Sequence, residues 1–465
     1  MNGHTAGRIS SCSGVRISGH QGKFFGDGRF LCRGKISTGV DWIAMILVYL
    51  KMLRQFAGFD INSGGWLPKR VPKKRMTVGH VTFYQVNDLK RDNAAAFFVE
   101  QALSQQGLTV LPINPLASKV GLVTRAAVKW QKLWSGKGPR LDFHPDLLRG
   151  WGRQILAHSN YHKCDILLAS NPRPISFLQT PKPIVLHVDT GFAGLVNFLP
   201  NYSGLTRRVI AQGHQAERQA QERATAIVYT CRRSVDLARH AYQTPLEKFR
   251  IIERAAGFSF TLSEDEIAAA IEARRKNGTC TLLFTGYDWE RKGGPLAVKI
   301  ALRLNQTGTP AKLVIIGAQP KLSPVEQAVC ELVGPINKSD DNQLAKMKRC
   351  FLEAHFLILP TEADITPIVI SEAAFFGLPT VASDIFGIPD VVADNVSGKL
   401  FPVGTSAHLY ADWIAGASRD KDRYRELALA ARRIYNERLN QQSVGRRLAE
   451  IVRQVKAGTF GKSSS

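Results

Sequence analysis

Residues 355–392 read HFLILPTEADITPIVISEAAFFGLPTVASDIFGIPDVV and combine a strand, a loop, a helix and a second strand. The apolar run at 355–359 predicts a buried strand that ends at a proline. After a polar loop, Thr366 is a favourable N-cap and Pro367 suits the first turn of a helix. Gly377 ends that helix about three turns later. This stretch therefore predicts the strand–helix–strand unit of an α/β fold.

Two carboxylates flank the start of this helix. Asp364 lies just outside it, and Glu372 lies about five residues beyond Pro367, roughly 7 to 8 Å along the axis. The free N–H groups and the positive dipole end between them favour an anion such as a phosphate. For a sugar nucleotide we expect Asp364 at the sugar, Thr366 and the helix start at the diphosphate, and Glu372 at the ribose. The alternative to such a site is that Asp364 is an ordinary loop carboxylate and Glu372 a solvated helix residue.

This stretch resembles the donor-binding signature of retaining GT-B glycosyltransferases of family 4. That signature is an acidic residue, seven residues, Glu-Ala, a Gly-x-Pro turn, a strand and a Gly-x-Pro-acid turn. The matching residues are Asp364, Glu372-Ala373, Gly377-Leu378-Pro379, Thr380 to Ser383 and Gly387-Ile388-Pro389-Asp390. The resemblance implies two Rossmann-like domains facing across a cleft, a nucleotide-sugar donor and retention of the anomeric configuration.

A basic loop at 284–294, FTGYDWERKGG, precedes another predicted helix. Arg forks onto phosphate oxygens and Lys acts as a point charge, so Arg291 and Lys292 are candidate donor-binding residues. The loop resembles the family's Gly-Arg…Lys-Gly phosphate loop, with Tyr287 at the place of the usual Arg. The resemblance implies that cationic side chains replace a divalent metal, and we expect neither a metal nor another cofactor.

The segment 186–192, LHVDTGF, follows a predicted strand and is expected to face the cleft at the strand's carboxyl end. It resembles a Trp-Thr-Asp-Ala-Thr-Phe stretch of related transferases. Asp189 matches the acid of that stretch, which implies acceptor orientation or acid–base help. His187 is the second candidate, against the alternative of a structural histidine at a strand end.

Charge points to phosphate-bearing partners. The 465 residues include 62 Lys and Arg against 38 Asp and Glu, a formal net charge of +24. Such an excess attracts nucleic acid, an anionic membrane surface or phosphorylated substrates. We find no zinc finger or RNA-recognition signature, so no specific nucleic acid partner is expected. We expect a nucleotide-sugar donor, a saccharide or lipid-linked acceptor and peripheral contact with an anionic membrane.

Seven cysteines are scattered and never form a Cys-x-x-Cys pair. This argues against a disulfide framework and favours a reducing compartment. We therefore expect a cytoplasmic protein, either free or peripheral on the inner face of the membrane.

Residues 1–75 carry 13 Lys and Arg against three Asp and are rich in Gly and Ser. Three interpretations remain open for them: a disordered basic tail, a membrane-surface anchor with an amphipathic helix at 42–59, or sequence upstream of the true start. The third is favoured because Met76 directly precedes the first clear strand. The apolar run at 42–50 is too short to span a bilayer.

Strands and helices alternate from residue 77 onward. Predicted strands at 78–84, 108–112, 164–169, 183–188, 226–231 and 249–252 give an N-terminal Rossmann-like acceptor domain at 76–258. The alternation restarts with strands at 280–286 and 312–317, which gives a C-terminal Rossmann-like donor-binding domain at 259–438. A crossover helix and polar tail are expected at 439–465.

We therefore predict a hexosyltransferase-type glycosyltransferase in cell-surface polysaccharide or glycoconjugate synthesis. Two alternatives remain. One is a non-catalytic GT-B-like protein that binds sugar or nucleic acid, and the other is a different GT-B enzyme, such as a sugar-nucleotide epimerase.

Overall fold

The computed structural model describes residues 16–17, 20–24, 30–32, 75–84, 94–118, 121, 126, 130, 141–258 and 260–461. The amphipathic helix that is one interpretation of residues 42–59 lies outside these residues. Contacts divide the chain into two units, 1–74 and 75–465. In the first unit, β1 (Arg16–Ile17), β2 (His20–Phe24) and β3 (Phe30–Cys32) pair in antiparallel fashion.

The second unit begins with a parallel six-stranded sheet in the order β5-β4-β6-β7-β8-β9. Its strands are β4 (Thr77–Val81), β5 (Thr109–Ile113), β6 (Ile166–Ala169), β7 (Ile184–His187), β8 (Ala226–Tyr229) and β9 (Phe249–Ile251). The helices that accompany them are α1 (Ala94–Gln105), α2 (Pro145–Ala157), α3 (Ser159–Lys163), α4 (Phe192–Leu195), α5 (Arg207–Arg223) and α6 (Arg232–Tyr242).

A second parallel sheet follows in the order β12-β11-β10-β13-β14-β15. Its strands are β10 (Cys280–Gly286), β11 (Ala311–Gly317), β12 (Cys330–Gly334), β13 (Phe356–Leu359), β14 (Thr380–Ser383) and β15 (Gly398–Phe401). The helices are α7 (Glu264–Lys276), α8 (Gly294–Gln306), α9 (Pro324–Gln327), α10 (Asp341–Glu353), α11 (Ile368–Phe375), α12 (Ile388–Val391), α13 (Ala407–Arg419), α14 (Lys421–Ile434) and α15 (Gln441–Ala457).

These sheets confirm the predicted α/β class with two Rossmann-like domains. The second sheet has the 3-2-1-4-5-6 order of the dinucleotide-binding fold, whereas the first has the 2-1-3-4-5 order of flavodoxin extended by one strand. Central strands β6, β8 and β13 are buried along their whole length, which explains their continuous apolar sequences. The sequence did not predict strands β12 and β15, because both lie at a sheet edge and lack such a run.

Each sheet reverses its strand order at one point. The reversal lies between β4 and β6 in the first sheet and between β10 and β13 in the second. Loops that leave neighbouring strands toward opposite faces open a crevice at the carboxyl ends, where open α/β sheets bind ligands. The loops after these four strands are therefore the places where a site is expected.

The C-terminal helix α15 packs against the first sheet. Val444, Leu448 and Val452 share a buried cluster with Val78 of β4 and Leu168 of β6. Gly445 permits a close approach, since a Cβ atom there would lie 2.9 Å from the Cβ of Ala102 on α1. In the described residues, no helix is both long and apolar enough to cross a membrane.

Candidate active site

The loop between β10 and α8 carries the basic residues of the second sheet's crevice. Gly293 adopts φ +78°, and a Cβ atom there would lie 2.0 Å from the Pro360 carbonyl oxygen, so only glycine fits. A Cβ atom on Gly286 would lie 2.3 Å from Cδ of Lys292. The Lys292 side chain thus lies across Gly286, which directs its ammonium group toward the loop after β13.

Asp364, in the loop after β13, accepts hydrogen bonds from both cations. Its Oδ2 atom lies 2.9 Å from Nζ of Lys292 and 3.4 Å from Nη1 of Arg291. Arg291 also donates from Nε to Asp288 at 2.8 Å and from Nη1 to the Ala363 carbonyl at 2.5 Å. The sequence placed these residues on separate loops, and the structure brings them together where the strand order of the second sheet reverses.

Thr366 does not cap the helix after this loop, contrary to the sequence prediction. The N-cap is Pro367, whose backbone is extended, and the first helical residue is Ile368. The Thr366 hydroxyl instead shares a 2.9 Å hydrogen bond with the Thr230 hydroxyl from the end of β8. This bond joins a residue that follows a strand of the first sheet to a loop of the second. Thr366 therefore lies where the domains meet.

Glu372 lies on α11 and is 3% exposed. Its Oε1 atom accepts a hydrogen bond from Nζ of Lys338 at 2.5 Å. Lys338 also lies 5.0 Å from the ring centroid of Phe258 and donates at 3.4 Å to the Gly257 carbonyl. The buried carboxylate is therefore stabilised by a partner from the loop after β12, and that partner also contacts the linker between the domains.

Asp189 follows β7 and forms a two-pronged ion pair. Arg254 donates from Nε to Oδ1 and from Nη2 to Oδ2, both at 2.6 Å. The Arg254 carbonyl accepts the Ser371 hydroxyl at 2.7 Å, which links the pair to α11. A carboxylate held in this way is suited to orienting a substrate hydroxyl, because both of its oxygens already accept hydrogen bonds from a permanent cation.

His187 ends β7 beside this pair. Burial lowers its pKa from 6.5 to about 4; nearby Arg254 acts in the same direction and Asp189 opposes it. The imidazole is thus neutral at pH 7, when it offers one N–H donor and one acceptor nitrogen.

A cavity of about 420 Å³ lies at the strand-order reversal of the first sheet. His187, Asp189 and Arg254 line it from the first domain, and Ile365 and Ile368 line it from the second. The candidate acceptor residues therefore lie in this cavity. Asp364, Lys292, Arg291 and Glu372 are not among its lining residues.

Two contributors were missed by the sequence analysis, Lys338 and Arg254. Arg254 lies in the linker ERAAG at 253–257 and pairs with Asp189, 65 residues earlier in sequence. Lys338 carried no local signal, because its partner Glu372 is 34 residues away in sequence.

No group of three or more His, Cys, Asp or Glu side chains is arranged to hold a metal ion in the part of the chain that the structure describes. The cations that meet Asp364 are side chains of the protein itself.

Comparison with known proteins finds a family that the second sheet resembles. Residues 279–420 match the family described as "Glycosyl transferases group 1". The match covers less than half of the chain. The matched residues include both loops that form the crevice with Asp364, Lys292 and Arg291.

Similarity to an individual relative covers only part of the chain. The amylovoran biosynthesis glycosyltransferase AmsK of Erwinia amylovora is 29% identical over 174 residues, which cover 36% of this chain and 42% of that protein. The chain thus aligns with less than half of that relative.

Solved structures resemble the whole second unit. Anabaena Alr3699/HepE in complex with UDP is 13% identical with a TM-score of 0.56, covering 82% of this chain and 100% of that one. The sucrose-phosphate synthase (tll1590) of Thermosynechococcus elongatus is 15% identical with a TM-score of 0.59, covering 83% and 100%. At these identities the likeness establishes the fold, with its two Rossmann-like domains.

Proposed function

We propose that this protein transfers a hexosyl group from a nucleotide-sugar donor to a saccharide or lipid-linked acceptor, with retention of configuration, in the synthesis of a cell-surface polysaccharide or glycoconjugate. The observation that supports this proposal is the contact of Lys292 and Arg291 with Asp364, at the point where the strand order of the second sheet reverses. The matched family and the amylovoran relative support the same reaction class.

The donor would lie across the start of α11. Departure of a nucleoside diphosphate builds negative charge on its bridging oxygen, and Lys292 and Arg291 would stabilise that charge. Asp364 would contact the sugar and Glu372 the ribose hydroxyls, with Lys338 holding Glu372 in place. These two cations would act without a divalent metal, so a chelator should leave the rate unchanged.

The acceptor would enter the cavity of the first domain. Asp189, fixed by Arg254, would orient the acceptor hydroxyl, and the neutral His187 would add a hydrogen bond. The net charge of +24 supports peripheral contact with an anionic membrane that carries a lipid-linked acceptor. Free thiols are found at Cys164, Cys231, Cys280, Cys330 and Cys350, which supports a reducing, cytoplasmic location.

The test is hydrolysis of a panel of nucleotide sugars by the full chain without added metal. We expect slow release of one nucleoside diphosphate and its loss in Glu372→Ala. Glu362→Ala is the matched control, because this nearby glutamate is exposed. No release from any donor, together with no binding of UDP, GDP or ADP by calorimetry, would contradict the proposal and favour a non-catalytic protein.

A further inference from the structure

Three side chains behind the first-domain cavity form a connected hydrogen-bonded series that the proposed transfer does not use. His80 lies on β4, Glu100 on α1, and Ser170 directly after β6. Nδ1 of His80 lies 2.7 Å from Oε1 of Glu100, and Nε2 lies 2.7 Å from Oγ of Ser170. Three separate elements are therefore needed to assemble the series.

The direction of these hydrogen bonds follows from the chemistry of the groups. An ionised carboxylate only accepts, so the proton on Nδ1 of His80 points to Glu100. Nε2 is then the unprotonated nitrogen and accepts the Ser170 hydroxyl. This is the arrangement in which a histidine draws a proton from a serine and a carboxylate orients the histidine.

The three residues differ in how deeply they are buried. His80 has no exposed surface, whereas Ser170 is partly exposed and lines the cavity. The Glu100 side chain is 21% exposed at the outer end of the series. Of the three residues, only Ser170 lines the space where a ligand fits.

We propose that Ser170, His80 and Glu100 form a second reactive site, in which Ser170 is an activated nucleophile toward acyl esters. Apolar side chains of the same cavity, Phe98 and Val99 on α1 and Leu448 on α15, suit a short acyl chain. The site shares its cavity with the proposed acceptor. Ser170, His80 and Glu100 themselves have no part in the proposed glycosyl transfer.

The reaction balances without a further reagent. Oγ of Ser170 bonds to the ester carbonyl carbon while its proton moves to Nε2 of His80. Arg173, which lines the cavity three residues later and also pairs with Asp142 at 3.4 Å, would add positive charge near the developing oxyanion. The C–O bond to the alcohol then breaks, and the alcohol leaves with the proton from His80. Water, deprotonated by His80, finally releases the acid and restores Ser170.

The test treats the full chain with p-nitrophenyl butyrate. We expect release of p-nitrophenolate above the buffer rate and a butyryl group on Ser170, identified by peptide mass spectrometry. Ser170→Ala should abolish both. Glu100→Gln, which changes a partly exposed residue without altering its shape, should lower kcat by about 100-fold or more with little change in KM, because the histidine loses its orienting acceptor.

Ser203→Ala is the matched control. Ser203 is an exposed serine of the same domain whose hydroxyl donates to the Leu199 carbonyl, and its replacement should leave the rate unchanged. A wild-type rate equal to that of buffer, a butyryl group on another residue, or full activity in Ser170→Ala would overturn the proposal.

Discussion

At the residue scale, Asp364 orients two cations of the crevice that we propose for the donor. Lys292 and Arg291 reach the same carboxylate oxygen, while the Ile365 N–H donates to the other oxygen at 3.0 Å. The Asp364 side chain is 15% exposed, so these charge-assisted bonds are partly shielded from water. Removing the negative charge should therefore misplace the cations that a diphosphate needs.

We predict that Asp364→Asn lowers the rate of nucleotide-sugar turnover by about 100-fold or more, the size of effect seen when one preorganised electrostatic contact is lost. Glu362→Gln, two residues earlier and exposed, serves as the control. Steady-state kinetics on the donor found in the panel will decide the matter. Turnover in Asp364→Asn equal to that of the control would exclude the assigned role.

His355 provides a pH-dependent contribution to stability. Its Nδ1 accepts the Thr281 N–H at 3.0 Å, and its Nε2 donates to the Arg274 carbonyl at 2.9 Å. Burial lowers its pKa from 6.5 to about 4; the hydrogen bond to the Arg274 carbonyl opposes this, and the positive charges of Arg274 and Lys421 add to it. Between these two values the unfolded chain binds a proton that the folded protein does not.

We therefore predict that the free energy of unfolding falls as pH drops from 6.5 to about 4, with His355 contributing up to about 3 kcal/mol. His355→Gln should flatten this pH dependence in urea unfolding, whereas His408→Gln on the exposed surface should not. His187, whose pKa is also lowered to about 4, should contribute in the same range. Parallel pH curves for wild type and His355→Gln would refute this contribution.

At the element scale, the β10–α8 loop is shaped by contact with the loop after β13. Gly293 and Gly308 have nearly the same left-handed backbone, φ +78° and +79°. A Cβ atom on Gly293 would collide with the Pro360 carbonyl, whereas one on Gly308 meets nothing within 4 Å. Alanine substitutions at these two glycines therefore distinguish the cost of the left-handed backbone from the added cost of the collision.

Gly308→Ala should cost about 1 kcal/mol of stability, the penalty of a left-handed conformation alone. Gly293→Ala should cost clearly more, because the loops must also move apart, and it should weaken nucleotide binding. Urea unfolding and calorimetry measure the two effects. Equal losses of stability in the two variants would mean that the loops separate freely.

The sequence predicted the central strands of the sheets better than the edge strands and the tertiary partners of the candidate site residues. Strands such as β13 are buried on both faces and therefore appear in the sequence as apolar runs. Asp364 and Lys292 could be singled out because they lie in loops that follow such strands. The predicted N-cap at Thr366 was wrong because its hydroxyl bonds to Thr230, 136 residues earlier. The pairs Lys338–Glu372 and Arg254–Asp189 depend on tertiary packing, which no local pattern encodes.

At the scale of the whole molecule, Glu253 joins the linker between the domains to the C-terminal segment. It is 5% exposed and accepts hydrogen bonds from Arg438 at 3.0 Å and Arg447 at 2.7 Å. Arg438 also donates to the Asp390 carbonyl of the second domain. One buried carboxylate therefore holds parts of the chain that are nearly 200 residues apart.

We predict that Glu253→Ala lowers the free energy of unfolding by about 3 kcal/mol, because two arginines lose a buried partner. Glu450→Gln, an exposed change on α15, should have little effect. Denaturant titration at pH 7 makes the comparison. If Glu253→Ala is as stable as Glu450→Gln, the two ion pairs contribute nothing to holding the linker.

The packing of α15 on the first sheet has a consequence for synthesis. Translation produces β4 to β9 first, yet Val444, Leu448 and Val452 belong to the same buried cluster as those strands. While the ribosome is still adding the second domain, the face of the first sheet that α15 covers stays open to water. Chaperones that bind exposed apolar surface would therefore find their target on the nascent chain until residues 441–457 emerge.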